Sequence, residues 1–130
     1  MATISECRFS ANSAIQGGAI SNIGGTLNVS CSTSSNNSAS EGGACFNLGT
    51  TTLDGCILSN NVAATRGGGA YNAGNRLTVL DSVFSDNSAN SGGGIYNNDA
   101  SVIVGGSMFC NNSPDNIVGV YVDEGGNMFC

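Results

Sequence analysis

Glycine pairs begin at Gly17, Gly42, Gly67 and Gly92, a constant interval of 25 residues, and each opens a near-copy of one phrase: GGAISN, GGACFN, GGGAYN, GGGIYN. A second motif keeps the same interval. It reads FSAN at 9–12, TSSN at 33–36, LSNN at 58–61, FSDN at 84–87 and FCNN at 109–112, with a one-residue drift at the second and third copies. Ile4, Val29, Leu53, Val79 and Val104 mark a third recurring position. Between these marks apolar and polar residues alternate over short runs, as in Leu27-Asn28-Val29 and Thr78-Val79-Leu80, and no helical period is sustained. Short strands joined by tight turns fit this pattern. A unit of this size cannot bury its own apolar face, so it must stack on its neighbours.

The sequence therefore predicts an all-β chain: a right-handed, single-stranded parallel β-helix of about five coils of 25 residues, with equivalent residues stacked about 4.8 Å apart. Residues 1–130 form one domain, 1–113 as regular coils and 114–130 as a C-terminal cap, where the repeat degenerates around Pro114. Phe9, Leu58, Phe84 and Phe109 are expected to fill the lumen beside the Ile4–Val104 column, and Ile20, Cys45, Ala70, Ile95 and Val120 to line another wall. Two asparagine stacks follow: Asn12, Asn36, Asn61, Asn87 and Asn112, and Asn22, Asn47, Asn72 and Asn97. Their amides can bond from coil to coil and satisfy turn backbone groups. The glycine pairs supply corners where a side chain has no room.

Composition excludes some functions. Three arginines and no lysine against nine carboxylates leave a net charge of -6, which opposes binding to nucleic acid, since a polyanion is held by Lys and Arg. No apolar stretch approaches the roughly 20 residues that cross a bilayer, so membrane insertion is not expected, and no signal peptide is visible at residues 1–15. Without histidine or lysine, neither a Ser-His-Asp nor a Cys-His arrangement can be assembled.

The GGAI-type and FxxN motifs, held at a fixed offset from residue 2 to about 122, resemble the repeats of polymorphic outer-membrane autotransporter passengers and of other right-handed β-helix proteins on bacterial surfaces. The resemblance implies a parallel β-helix and an adhesive role at a cell surface. The same fold also serves virion appendages and polysaccharide enzymes.

Residue by residue, the candidate sites are few. Cys7, Cys31 and Cys56 fall in one inward column completed by Ser82 and Ser107, and Cys45 replaces Ile in another, which suits small core thiols. Cys110 and Cys130, both in the capping region, are a disulfide candidate. A shift of 25 residues sets Glu124 over Asp99 and Asp123 over Asn98, so Asp99, Asp123 and Glu124 form a candidate calcium site; hydrated side chains splayed into water are the competing reading. Asp54 and Asp81 are the carboxylates on which a carbohydrate-active enzyme would depend, if adjacent coils bring them together. The outward column Thr3, Asn28, Thr52, Thr78, Ile103 tests an ice-binding face and is only partly threonine. The first coil enters the core at Ile4 with no cap before it, so a protein partner or a second copy is expected to dock there. The function expected is a non-enzymatic structural or adhesive module on a cell or virion surface, with glycan among its partners. A virion or filament subunit, a polysaccharide enzyme and an ice-binding protein are the alternatives.

Overall fold

The computed structural model describes residues 1–130 in full. Strands and turns account for all regular structure, and every strand pair is parallel. The chain winds as a solenoid of about five coils, each crossing four sides in turn.

On the first side, strands Ala2–Ser5, Thr26–Ser30, Thr50–Asp54, Arg76–Leu80, Val102–Gly105 and Val122–Asp123 stack in that order. Ile4, Val29, Leu53, Val79 and Val104 are in register, as the repeat predicts, with Leu27, Thr51, Leu77 and Val102 pointing inward beside them. The second side carries Arg8–Ser10, Thr33–Ser35, Ile57–Ser59, Val83–Ser85, Met108–Cys110 and Met128–Phe129. Its inward column is Phe9, Ser34, Leu58, Phe84, Phe109 and Phe129. Phe84 and Phe109 are fully enclosed and stack 5.0 Å apart. The third side is narrow: Ser38–Glu41 and Val62–Arg66 pair directly, and single bridges through Ser13, Gln16, Ser88, Ser91 and Ser113 continue it. The fourth holds Ile20–Asn22, Cys45–Asn47, Ala70–Asn72, Ile95–Asn97 and Ile117–Val118.

The core is a rod of apolar side chains from three of these sides, with alanines Ala39 and Ala63 facing in from the narrow third. Polar groups inside it are all paired. Asn61 shows how: its Nδ2 donates to the Ser34 carbonyl and to Asn87 Oδ1, while its own Oδ1 accepts from the Asn37 backbone N–H and Nδ2. No buried side-chain nitrogen or oxygen is left without a partner, which is what a buried amide requires to be stabilising.

The observed register differs from the expected columns at three places. The first asparagine stack runs Asn12, Asn37, Asn61, Asn87, Asn112. Asn36 lies outside it at a left-handed corner, φ 56°, in line with Ala11, Asn60, Asp86 and Asn111. Cys31 likewise leaves the column assigned to it. That column is Cys7, Ser32, Cys56, Ser82 and Ser107, in which the backbone N–H groups of Cys7, Cys56 and Ser82 donate to the hydroxyls of Ser32, Ser82 and Ser107, and Cys31 sits exposed at the adjacent corner with φ 48°. Short polar side chains populate such positive-φ corners because they tolerate that conformation best.

The third difference is at the C-terminus. Val104 pairs with Asp123 and Phe109 with Phe129, so the last coil contains about 20 residues in place of 25. Ile117 pairs with Ile95 and takes the wall position expected of Val120, which is instead 83 % exposed. The second asparagine stack, Asn22, Asn47, Asn72 and Asn97, keeps its expected register.

Candidate functional site

The glycine pairs turn the chain between the third and fourth sides, and they do it by bringing backbones into contact. A Cβ on Gly43 would collide with the carbonyls of Gly68 and Val62, and one on Gly42, at φ 64°, with the Cys45 carbonyl. No other residue type fits both constraints. The corner is so tight that the outward residues of the fourth side fold back over it: the Cβ atoms of Phe46 and Tyr96 lie close above Gly17 and Gly92. Phe46, Tyr71 and Tyr96 occupy one column and stack nearly parallel at 5.2 and 5.8 Å.

Opposite this aromatic ladder, the third side contains an extra residue. Ala63 pairs with Ala39 but Arg66 with Glu41, so Ala63–Arg66 spans one residue more than Ala39–Glu41, and likewise one more than its counterpart leading to Ser91. This is a β-bulge, and bulges re-aim side chains locally. It compensates for the shorter turn at Leu48-Gly49, which is how the glycine pairs hold their 25-residue interval while the stacks between them drift by one. Thr65 Oγ1 secures the bulge by donating to the Ser40 carbonyl at 2.7 Å. Arg66 is thereby laid against the ladder, its guanidinium carbon 5.1 Å from the Tyr71 ring centroid and 5.3 Å from that of Tyr96. Its Nη2 donates to Glu41 Oε2 of the coil below. The Tyr96 phenol first, and Glu41 second, push the Arg66 pKa above its ordinary value. Contacts of a cation with an aromatic ring contribute about 0.5–1 kcal/mol each at exposed sites.

Between the bulged strand and the ladder lies an open cleft of about 620 Å³. Three coils build it: Ser40 and Glu41 from one, Thr65 and Arg66 from the next, and Asn90, Ser91 and Tyr96 from the third. It offers hydroxyls, an amide, an ion pair and one aromatic ring. Its single carboxylate is already engaged by Arg66, so the cleft lacks the two carboxyl groups that glycoside hydrolysis employs.

The residues singled out from sequence lie elsewhere. Cys110 and Cys130 are joined by a disulfide with Cα atoms 4.6 Å apart, which ties the last coil to the one beneath it. Asp99, Asp123 and Glu124 do not converge, because the shortened last coil sets Asp123 beside Val104 and Glu124 beside Gly105, while Asp99 occupies a turn ahead of Val102–Gly105. Asp123 Oδ1 instead accepts from the Gly125 N–H at 2.8 Å and from Asn127 Nδ2 at 2.6 Å. No cluster of three His, Cys, Asp or Glu side chains is spaced to hold a metal ion. Asp54 pairs with Leu80, and Asp81 lies one step beyond at a corner, so the two belong to different columns. Sequence reasoning missed Glu41, Arg66 and Tyr96. The available signal was the count from Asn61 to Gly67, six residues where Asn12, Asn37 and Asn87 stand five before their glycines.

Stacked parallel coils, amide ladders and glycine corners define a parallel β-solenoid repeat protein. Residues 81–98, which contain FSDN and GGGIYN, match the Chlamydia polymorphic membrane protein repeat. The chain is thus a parallel β-helix repeat protein, similar over these residues to the polymorphic membrane protein repeat. No curated protein and no solved structure matches the chain. No helix is long and apolar enough to cross a membrane.

Proposed function

We propose that this chain is a rigid, non-catalytic adhesive module that contacts other macromolecules at a cell or virion surface. The repeat match at residues 81–98 carries the reading, because it falls on the two motifs that recur through the solenoid. Rigidity supports it: neighbouring coils bond through backbone ladders and two amide stacks, so an exposed side keeps its shape without a partner. The lone, ion-paired carboxylate of the cleft and the separated Asp54 and Asp81 favour binding over turnover. Beads coated with the purified chain should adhere to cell monolayers saturably and be displaced by soluble chain. Adhesion no greater than that of albumin-coated beads would overturn the reading, as would release of reducing ends from a polysaccharide.

A further inference from the structure

The geometry points to a carbohydrate-binding site in the cleft between the Arg66 bulge and Tyr96, selective for uncharged sugars. This deepens the adhesive reading and rests on it for the site's purpose. Four observations converge. The cleft's volume of about 620 Å³ lies within the range of about 300–1,000 Å³ typical of ligand sites. Its lining is polar apart from one aromatic ring, and it supplies donors and acceptors together: the hydroxyls of Ser40, Thr65 and Ser91, the Asn90 amide, and the Glu41–Arg66 pair. A polyhydroxylated ring needs that mixture, since each hydroxyl both donates and accepts. Tyr96 is part-exposed at the end of the aromatic ladder with the Arg66 guanidinium lying over its ring, so the two planar groups together make a rigid wall against which a pyranose can lie.

Charge then narrows the ligand. The cleft's one cation is neutralised by Glu41, and the whole chain carries -6, so sulfated or uronic polymers meet repulsion. A peptide is a poor match as well, because the lining offers no apolar pocket for a side chain. The bulge is the fourth observation. It is the one place where a coil of the regular stack carries an additional residue, and that residue falls on the cleft's own wall. Without it Thr65 and Arg66 would leave their positions, so the departure from the repeat and the cleft are one feature. An open site made of few groups binds a single sugar weakly, and closely packed copies at a surface would multiply that affinity by avidity.

The test uses the full chain and ligand-observed NMR with millimolar methyl glycosides of glucose, galactose, mannose and N-acetylglucosamine, alongside glucuronic acid and a sulfated disaccharide. At least one neutral glycoside should receive saturation from the protein and the acidic sugars should not. Tyr96→Ala should weaken binding by about tenfold, the scale of a central aromatic anchor. Asn90→Ala, at an exposed position outside the stacks, should weaken it about threefold to tenfold with circular dichroism unchanged, which keeps the test valid if Tyr96→Ala unfolds. Thr52→Ala, on the first side, should leave it unchanged. Absence of binding by every neutral glycoside overturns the proposal; so does preferential binding of the acidic sugars, or equal losses in Asn90→Ala and Thr52→Ala. Bead adhesion that persists in Asn90→Ala while sugar binding is lost would show that adhesion uses another face. Retained sugar binding with no bead adhesion would sink the adhesive reading alone.

Discussion

Two sides of this solenoid are written with the same repeat and use it differently. Down the second side the inward column reads Phe9, Ser34, Leu58, Phe84, Phe109, Phe129, mostly large and apolar. Down the third side the column facing the cleft reads Gln16, Glu41, Arg66, Ser91, four chemistries at one structural position. The first column is constrained by burial, where each large side chain removed from water contributes about 1.5–3 kcal/mol. The second is exposed or half-exposed and free to vary. Repetition therefore builds the rod, and the departures from repetition carry its individual chemistry.

The largest perturbation should come from the uniform side. Phe84 is fully buried between Leu58 and Phe109, so Phe84→Ala removes both stacking neighbours' partner and opens a cavity. A loss of about 3–5 kcal/mol is expected. Urea unfolding would measure it, and a loss under about 1 kcal/mol would mean that the lumen is not packed as described.

Asn87 lies at the corner joining the two sides and tests whether the amide stack is structural. Its Oδ1 accepts from the Asn61 backbone N–H and Nδ2, and its Nδ2 donates to the Leu58 carbonyl and Asn112. Asn87→Ala leaves several of these buried groups unpaired, at about 1–3 kcal/mol apiece less what water recovers. A destabilisation of about 2–3 kcal/mol should appear in the same unfolding experiment, and the exposed Asn36→Ala should cost well under half as much.

These two residues also show how much was legible. The fold was readable because columns such as Ile4–Val104 and Asn22–Asn97 impose one requirement on every coil, and a requirement repeated four or five times leaves a visible period. Asn36 and Asn37 were not separable by sequence. Both are asparagine, a corner and a stack each accept that residue, and only the compensating turn and bulge decide between them. The C-terminal register failed for a related reason: extrapolating 25 residues presumes a regular last coil, and the chain shortens it, which dispersed Asp99, Asp123 and Glu124. The cleft was the least legible of all. It depends on a single inserted residue and on three coils whose side chains have nothing in common.

Thiol titration gives a pH-dependent comparison. Burial first, and the nearby Cys56 second, push the Cys45 pKa from 9.0 to about 12, and burial likewise raises that of Cys56. In the unfolded chain these thiols ionise near 9, while in the fold they keep their protons. The stability they provide is fully present below pH 9 and is lost as pH rises toward 12, with a slope of up to about 1.4 kcal/mol per pH unit for Cys45. Unfolding midpoints between pH 8 and 11 should follow this decline, and Cys45→Ala should flatten it. At neutral pH a thiol reagent should modify exposed Cys7 and Cys31 rapidly and Cys45 only on unfolding.

The smallest effect belongs to the variable side. Arg66 bonds Glu41 and lies over two tyrosines, yet its side chain is 39 % exposed, and water screens both interactions. Exposed ion pairs contribute about 0.2–1 kcal/mol, so Arg66→Ala should lower stability by no more than about 1 kcal/mol, and less still in high salt. Lys at this position would keep the charge but lose the planar group that lies along the ladder, so Arg66→Lys should recover only part of the loss. If Arg66→Ala instead cost as much as Phe84→Ala, the bulge would be a structural brace of the rod, and the division between a repeated frame and a variable, chemically distinct cleft would no longer hold.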